Sequence, residues 1–568
     1  MRFYYNVLTN NVEYGYNIGM YVRTISRKNK DGSVTTYVQL AHNIRDPESG
    51  FARAQVLYTF GRADSLDVEA LRRLVRSLCR FISPEDALAA QASLNGATLL
   101  KFVRSVPLGG AYLLRRLWER LGLEGVLRKA LDKRDFIFAV EWAIFAMVAN
   151  RALAPDSKRG VEEWVREDVA LGSPEPISLQ HLYRAMDFLL DNEERIQKEV
   201  FFATADLFNL EVDLLFFDTT TTYVESEEEE GLRQRGHSKD KRPDLPQIVI
   251  GLAVTKEGLP VRSWVLPGNT QDMTTVERIK KDLLGWKLSR CVWVMDRGMN
   301  SRENRIALQS AGGHYILGEK LRDNQEAHKE ALSFKGRYKK VRENLEVKEI
   351  VVGNGERRRR FVLVFNPEQA KKDQATRERT LQRIEEEPAA LQDQTGKAHT
   401  KAVCALLSHR TMGRYLRQTK TGHLRINQAK VHEEETLDGK YLLSTSDDTL
   451  SAEDIALCYK QLMEVERAFR TLKTTLELRP LYHRKDERIR AHVLLSHLAL
   501  LLVRIAERET GMSWDVIRSH MERLHLGEFS SKDGRIIQRT EITPDQSNIL
   551  KKLEIAAPPA FSKVGLST

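Results

Sequence analysis

Asp218 stands in a strand-like run, LLFFDTTTTY, whose other residues are apolar, hydroxyl-bearing or aromatic. Asp296 closes a second apolar run, CVWVMDRG. A carboxylate within or at the end of an apolar strand is costly unless it is paired, capped or bound to a metal. Taken singly, each has an ordinary reading, because an Asp at a strand end often caps the next turn. Two such acids on strands that can lie side by side have another use: they can share divalent cations, which prefer oxygen ligands.

A third carboxylate lies far downstream. Tyr459, Glu466 and Lys473 are spaced seven apart in a segment whose pattern predicts one long helix from Ser451 onward. Seven residues are two helical turns less about 20°, so the three line one face. Ser451 and Asp454 have capping-box spacing, which marks the helix start. Leu462, Val465, Phe469, Leu472 and Leu476 form a neighbouring apolar stripe that would pack on a sheet. Glu466 then sits on the shoulder of the buried face, able to reach a metal without being sealed in. The alternative for Glu466 alone is a solvated charged face, to which Glu464, Arg467 and Arg470 are assigned.

The elements that must hold these groups follow in order from Val212. After the Asp218 strand come a polar loop, two strands (QIVIGLAV and LPVRSWVLP) around a Lys-Glu-Gly turn, and the helix DMTTVERIKKDLLGW. The Asp296 strand, a helix and the strand HYILG complete the series. This order is close to a ribonuclease H-like α/β core, a mixed sheet flanked by helices. Around it the chain reads as a β-rich domain at 1–64, with a hairpin turn at Asp31-Gly32, and a helical region at 65–210, punctuated by Pro155 and Gly172-Ser173-Pro174. The core's first part is 211–320, a β-rich insertion is 321–438, its second part is 439–510, and a C-terminal region is 511–568. No internal repeat is present.

FFDTTTTY, GHSKDKRPDLPQIVIGLAV, VMDRGM and YKQLMEVERAFRTLK resemble the core of bacterial insertion-sequence DDE transposases of the IS-four superfamily, over about residues 213–502. That group's signature is Tyr, two residues, Arg, three residues, Glu, six residues, Lys. Here the positions hold Tyr459, Leu462, Glu466 and Lys473, so Leu462 departs from it. The resemblance implies Asp218, Asp296 and Glu466 as catalytic, metal-ligating residues. It implies two Mg²⁺ ions roughly 3.5–4 Å apart, with Mn²⁺ as a substitute. It also implies DNA contacts by Tyr459 and Lys473, by Arg470 in place of the missing Arg, and by His237, Lys239 and Arg242 in the loop 236–247, for which a plain solvated loop is the alternative. Relatives carry an insertion before the Glu, in some with a base-stacking Trp; no Trp occurs in 321–439, and Tyr338 or Tyr415 are the nearest equivalents. The implied partners are double-stranded DNA, as element terminal inverted repeats and as target, and a second copy of the chain in the DNA complex. A nuclease on the same core, or a non-catalytic DNA-binding descendant, are the alternatives.

Composition agrees without deciding. A chain of 568 residues is long enough for three or four domains, and the excess of 89 Lys and Arg over 79 Asp and Glu, a net charge of +10, suits a polyanionic partner. Cys79, Cys291, Cys404 and Cys458 lie far apart, which speaks against a disulfide framework or zinc site and for a reducing compartment. The N-terminus lacks the basic head and apolar stretch of a signal peptide. Val493 to Val503 spans about half of the ~20 residues a bilayer requires and reads as a core helix. The expectation is a soluble, cytoplasmic, nucleoid-associated bacterial protein with no membrane partner. Arg115, Arg116, Arg120, Arg128 and Lys129 are assigned to recognition of DNA ends, packing or dimerisation being the alternative. Arg357 to Arg360 are assigned to phosphate contact or an exposed hairpin, Glu227 to Glu230 to a solvated turn, and His483 and His492 to structural roles.

Overall fold

The computed structural model describes residues 19–45, 51–82, 100–131, 134, 136–172, 176–210, 212–286, 291–322, 326–355, 358–391, 396–409, 411–419, 423–531 and 534–566. Ser173, Pro174, Arg357 and residues 1–18 lie outside them. The chain divides into two compact units, one made of residues 1–104, 528–537 and 563–568, the other of 105–527 and 538–562.

In the first unit, β1 (Met20–Lys28), β2 (Val34–Arg45) and β3 (Ala52–Arg62) form an antiparallel sheet in that order. The β1–β2 turn is the expected one: Gly32 takes φ 80°, and the Asp31 carboxylate accepts from the Ser33 N–H at 3.0 Å.

β4 (Lys101–Pro107) leads into the second unit, which is built around a nine-stranded sheet. β5 (Leu214–Tyr223), β6 (Gln247–Val254) and β7 (Pro260–Pro267) are an antiparallel meander, its second turn made by Gly258 at φ 74°. β8 (Val292–Met295) and β9 (His314–Gly318) then add in parallel beside β5, each reached through a helix (Val276–Leu284 and Arg302–Gln309). Parallel neighbours require such crossovers, and strands covered on both faces read as continuous apolar runs, as LLFF and VWVM do.

One face of the sheet is covered by helices from both flanks of the core. Val140–Leu153 and Asp486–Thr510 are apolar nearly all round and pack on one another and on Leu179–Asp191. Asp486–Thr510 is long and apolar enough to cross a membrane by length and composition, yet 94% of its most apolar window is buried, so it is the core helix expected around Val493 to Val503. Leu113, Leu117, Phe145 and Leu189 share one hydrophobic cluster with Phe216, Ile250 and Val294 of the sheet. The helices from Gly109 onward are therefore part of the sheet's own packing.

Two expectations are corrected. The segment 321–438 is not simply β-rich. Its β10 (Lys339–Arg342), β11 (Leu345–Val352) and β12 (Arg359–Phe365) extend the core sheet, while Pro367–Leu391 and Gly396–Ser408 are helices; β13 (Leu416–Gln418) and β14 (Leu424–Ile426) are short. β15 (Lys440–Thr445) lies between β12 and β9, giving the sheet order β10-β11-β12-β15-β9-β8-β5-β6-β7. The helix from Ser451 is not continuous either. It runs Ala452–Lys460, turns at Gln461 and Leu462, resumes as Met463–Arg470 and ends in a π-helical turn, Thr471–Thr475. Around the break the Leu462 N–H bonds to the Tyr459 carbonyl and the Glu464 N–H to the Gln461 carbonyl, three-residue spacings that tighten and redirect the chain.

Candidate active site

Sheet register brings the two aspartates together. β5 and β8 are parallel with Phe217 opposite Met295, so one step further on Asp218 and Asp296 are neighbours. β9 pairs with β8 so that Leu317 is opposite Met295, which puts Gly318 at the same level. Side chains alternate along a strand. Asp218, Asp296 and Gly318 therefore share the face of Phe216, Val294 and Ile316, the face on which Val465, Ala468 and Phe469 of the Met463–Arg470 helix are packed.

Burial pushes the Asp218 carboxyl up to about 6, with Asp272 and Asp296 adding to the rise while Lys239 and the Thr219 N–H oppose it. Asp296 accepts a hydrogen bond from the Tyr459 hydroxyl at 3.1 Å. That contact needs the glycine beside it, since a Cβ on Gly318 would stand 2.4 Å from the Tyr459 hydroxyl oxygen and 3.0 Å from the Arg297 backbone nitrogen. Glu466 is exposed on its helix and, among the described residues, makes no hydrogen bond or ion pair. The structure thus brings two of the three carboxylates together and leaves the third on the adjoining helix; among the described residues no three metal-ligating side chains form one cluster.

The transposase DDE domain family matches residues 212–502, and the IS1634 family transposase N-terminal domain matches residues 22–87. The first match covers more than half of the chain. The chain belongs to the insertion-sequence DDE transposases. No curated protein matches it. Among solved structures it is similar to a piggyBac transposase, seen by cryo-EM in a synaptic complex with hairpin DNA, at 10% identity and a TM-score of 0.34, over 74% of this chain and 82% of that one. The transposase is accordingly a polynucleotidyl transferase acting on DNA and dependent on divalent metal. Asp218 and Asp296 fit that requirement: they offer hard oxygen donors from adjacent strands, and the raised Asp218 carboxyl marks a buried acid short of positive charge.

Other residues of the transposase stand as follows. Lys473 is mostly buried and pairs with Asp240 at 2.8 Å, an acid that also accepts from Arg479 at 2.6 Å. Lys239 reaches the Thr219 carbonyl at 2.8 Å and Asp272 at 3.3 Å, beside the Asp218 strand. Arg242 pairs with Asp244 and lies over the Tyr223 ring, whereas His237 and Arg470 are exposed. Asp272, bonded by the Thr219 hydroxyl at 2.5 Å, was invisible as a site residue because NTQDMTTVER reads as an ordinary helix start.

The cations assigned to DNA elsewhere are engaged internally. Arg115 pairs with Glu119, Glu124 and Glu141, Arg116 with Glu119, Arg120 with Glu509, Arg128 with Glu124 and Lys129 with Glu199. Arg358, Arg359 and Arg360 pair with Asp448, Glu319 and Glu349. Glu229 and Glu230 pair with Arg235 and Arg233. Tyr415 is buried, and Tyr338 packs beside Phe365 and Lys348. A cleft of about 500 Å³ runs from Asp296 and Tyr459 to Arg322, Arg377 and Arg414 of the insertion.

Leu462 occupies the family's Arg position and is buried in the main core at 9% exposure. Arg there would carry an unpaired charge into that core. Leu462→Arg is expected to cost roughly 2 kcal/mol or more of stability and to leave binding to element ends no tighter. Thermal melting and end affinity check this; unchanged melting with tighter binding would contradict it.

Proposed function

We propose that the transposase cuts DNA at the ends of its insertion sequence and joins the freed 3′ ends to target DNA, in cut-and-paste fashion, with Asp218, Asp296 and Glu466 as its catalytic carboxylates. The observation that carries this reading is the side-by-side register of Asp218 and Asp296 on parallel strands, with the Glu466 helix packed on the same face. The meander β5-β6-β7 followed by parallel β8 and β9 supports a ribonuclease H-like core.

The three carboxylates would hold the metal, two Mg²⁺ ions with Mn²⁺ as substitute. When bound, such ions activate water or a 3′-hydroxyl and stabilise the leaving oxygen of a phosphodiester. Tyr459 holds Asp296 in place through its hydroxyl, so its first task is orienting a ligand rather than gripping the backbone. Lys473, Lys239, Arg470 and Arg242 supply positive charge around the site for phosphates, with His237 as a further contact, positioning DNA without reading its sequence. Two copies act together on paired ends, and the protein works as a soluble one at the nucleoid.

The test incubates the protein with its element's ends, a target plasmid and Mg²⁺, and sequences the products. Element 3′ ends joined to target are the expected result. Cleavage without joining would instead make the protein a nuclease, and binding without cleavage a DNA-binding descendant.

A further inference from the structure

A second cleft, of about 430 Å³, opens between the helices and the segment that follows the π-helical turn. Its walls carry four cationic side chains. Lys158 is only 3% exposed, and among the described residues its ammonium has neither a hydrogen bond nor an ion pair. Arg151 is 6% exposed and, among the described residues, bonds only backbone carbonyls, those of Asp156, Leu476 and Glu477. Arg159 lines the mouth without an ion pair among the described residues, and Arg479 adds a fourth cation, itself paired with Asp240.

The neutral groups point the same way. His483 and His492 have ring centres 5.1 Å apart, and among the described residues His492 Nδ1 is buried with no hydrogen-bond partner. The cleft also meets the start of the ten-residue helix Lys158–Glu167, which is capped by the Ser157 hydroxyl and covered by the Asp156 carboxylate. Against these stand two carboxylates. Asp156 accepts from the Ser157 N–H at 2.5 Å and still offsets part of the charge of Lys158 and Arg151, while Glu477 is exposed to solvent. Burial, with Arg151 adding to it, lowers the Lys158 ammonium to about 7, although the Asp156 carboxylate opposes the fall.

A buried, unpartnered lysine is costly unless an anion completes it. We propose that this cleft is a phosphate-binding site, distinct from the carboxylate pair, which takes a phosphate oxyanion either from the DNA backbone or as a free ion. Lys158 and Arg151 supply the charge, and His492 a further ring-nitrogen donor. The site does not depend on metal, so its test is run in EDTA and is independent of whether the carboxylates catalyse.

The experiment has two arms on the full chain. In the first, ³¹P line broadening of inorganic phosphate is measured at fixed ionic strength. In the second, affinity for a duplex carrying the element's end is measured over a salt series. Lys158→Met keeps the shape of the stem, and its folding is checked by melting. Arg159→Gln changes an exposed residue and guards against a misfolded first variant.

A backbone phosphate in the cleft is expected to show as roughly tenfold weaker duplex binding for Lys158→Met and a salt slope lower by about one. Arg159→Gln is expected to move both in the same direction by less. A free ion is expected to show as broadening lost in Lys158→Met with duplex binding unchanged. Broadening and duplex binding both indifferent to the two variants would overturn the proposal.

Discussion

Asp218→Asn is expected to slow cleavage of element ends by about 10³-fold or more, while end binding stays within a few-fold of the unaltered protein. The substitution keeps the shape and removes a hard anionic ligand; metal-borne stabilisation of a phosphodiester transition state amounts to several kcal/mol, and each ~1.4 kcal/mol is tenfold in rate. Unfolding does not explain such a loss, because the charge removed is one the fold tolerates poorly. Burial, then Asp272 and Asp296, hold the Asp218 carboxyl up near 6, so neutralising it is expected to leave the melting temperature equal or higher. Asp296→Asn and Glu466→Gln are expected to behave alike in cleavage. Gel assays of cleavage and binding, run on each variant, check this. A variant that cuts at near the normal rate drops that residue from the catalytic set.

The second large effect is expected at a residue with no side chain. Gly318→Ala puts a methyl 2.4 Å from the Tyr459 hydroxyl and 3.0 Å from the Arg297 backbone nitrogen, so Tyr459 must leave Asp296 or the β8 end must shift. Overpacking of this kind costs about 1–3 kcal/mol, and cleavage is expected to fall with it. Tyr459→Phe removes the hydroxyl and with it part of the clash. The double variant is therefore expected to melt higher than the sum of the single effects implies, with a coupling of about 1 kcal/mol. Strict additivity in the melting temperatures would mean that Tyr459 does not pack over Gly318.

The difference between what was readable in the chain and what was not follows from the range of each interaction. β5 to β9 announce themselves because strands covered on both faces must be apolar throughout, and an acid such as Asp218 or Asp296 stands out in such a run. The helix from Ser451 was marked correctly at its start by its cap, yet its break at Gln461 and Leu462 is silent, since apolar spacing continues through it and neither Gly nor Pro signals the turn. Seven-residue spacing therefore overstated how directly Tyr459, Glu466 and Lys473 share a face.

Partners distant in sequence were the other blind spot. Lys473 pairs with Asp240, 233 positions away, and Arg358 and Arg359 pair with Asp448 and Glu319, 90 and 40 positions away, so these ion pairs leave no local signal in the chain. The insertion's strands likewise join the core sheet through β15, a pairing no local pattern encodes. Gly318 carries no chemical group to notice, and its constraint arises from the Tyr459 hydroxyl and the Arg297 backbone that crowd it.

The central claim is that Asp218, Asp296 and Glu466 serve one divalent-metal site when DNA is bound. The most direct measurement replaces Mg²⁺ by Fe²⁺ in the complex with element ends, adds ascorbate and peroxide, and maps where radicals released at the metal cut the protein chain. Cuts clustered around residues 218, 296 and 466, all lost in Asp218→Asn, are the expected result. Cuts that spare the Glu466 helix, or that persist unchanged in Asp218→Asn, would contradict it.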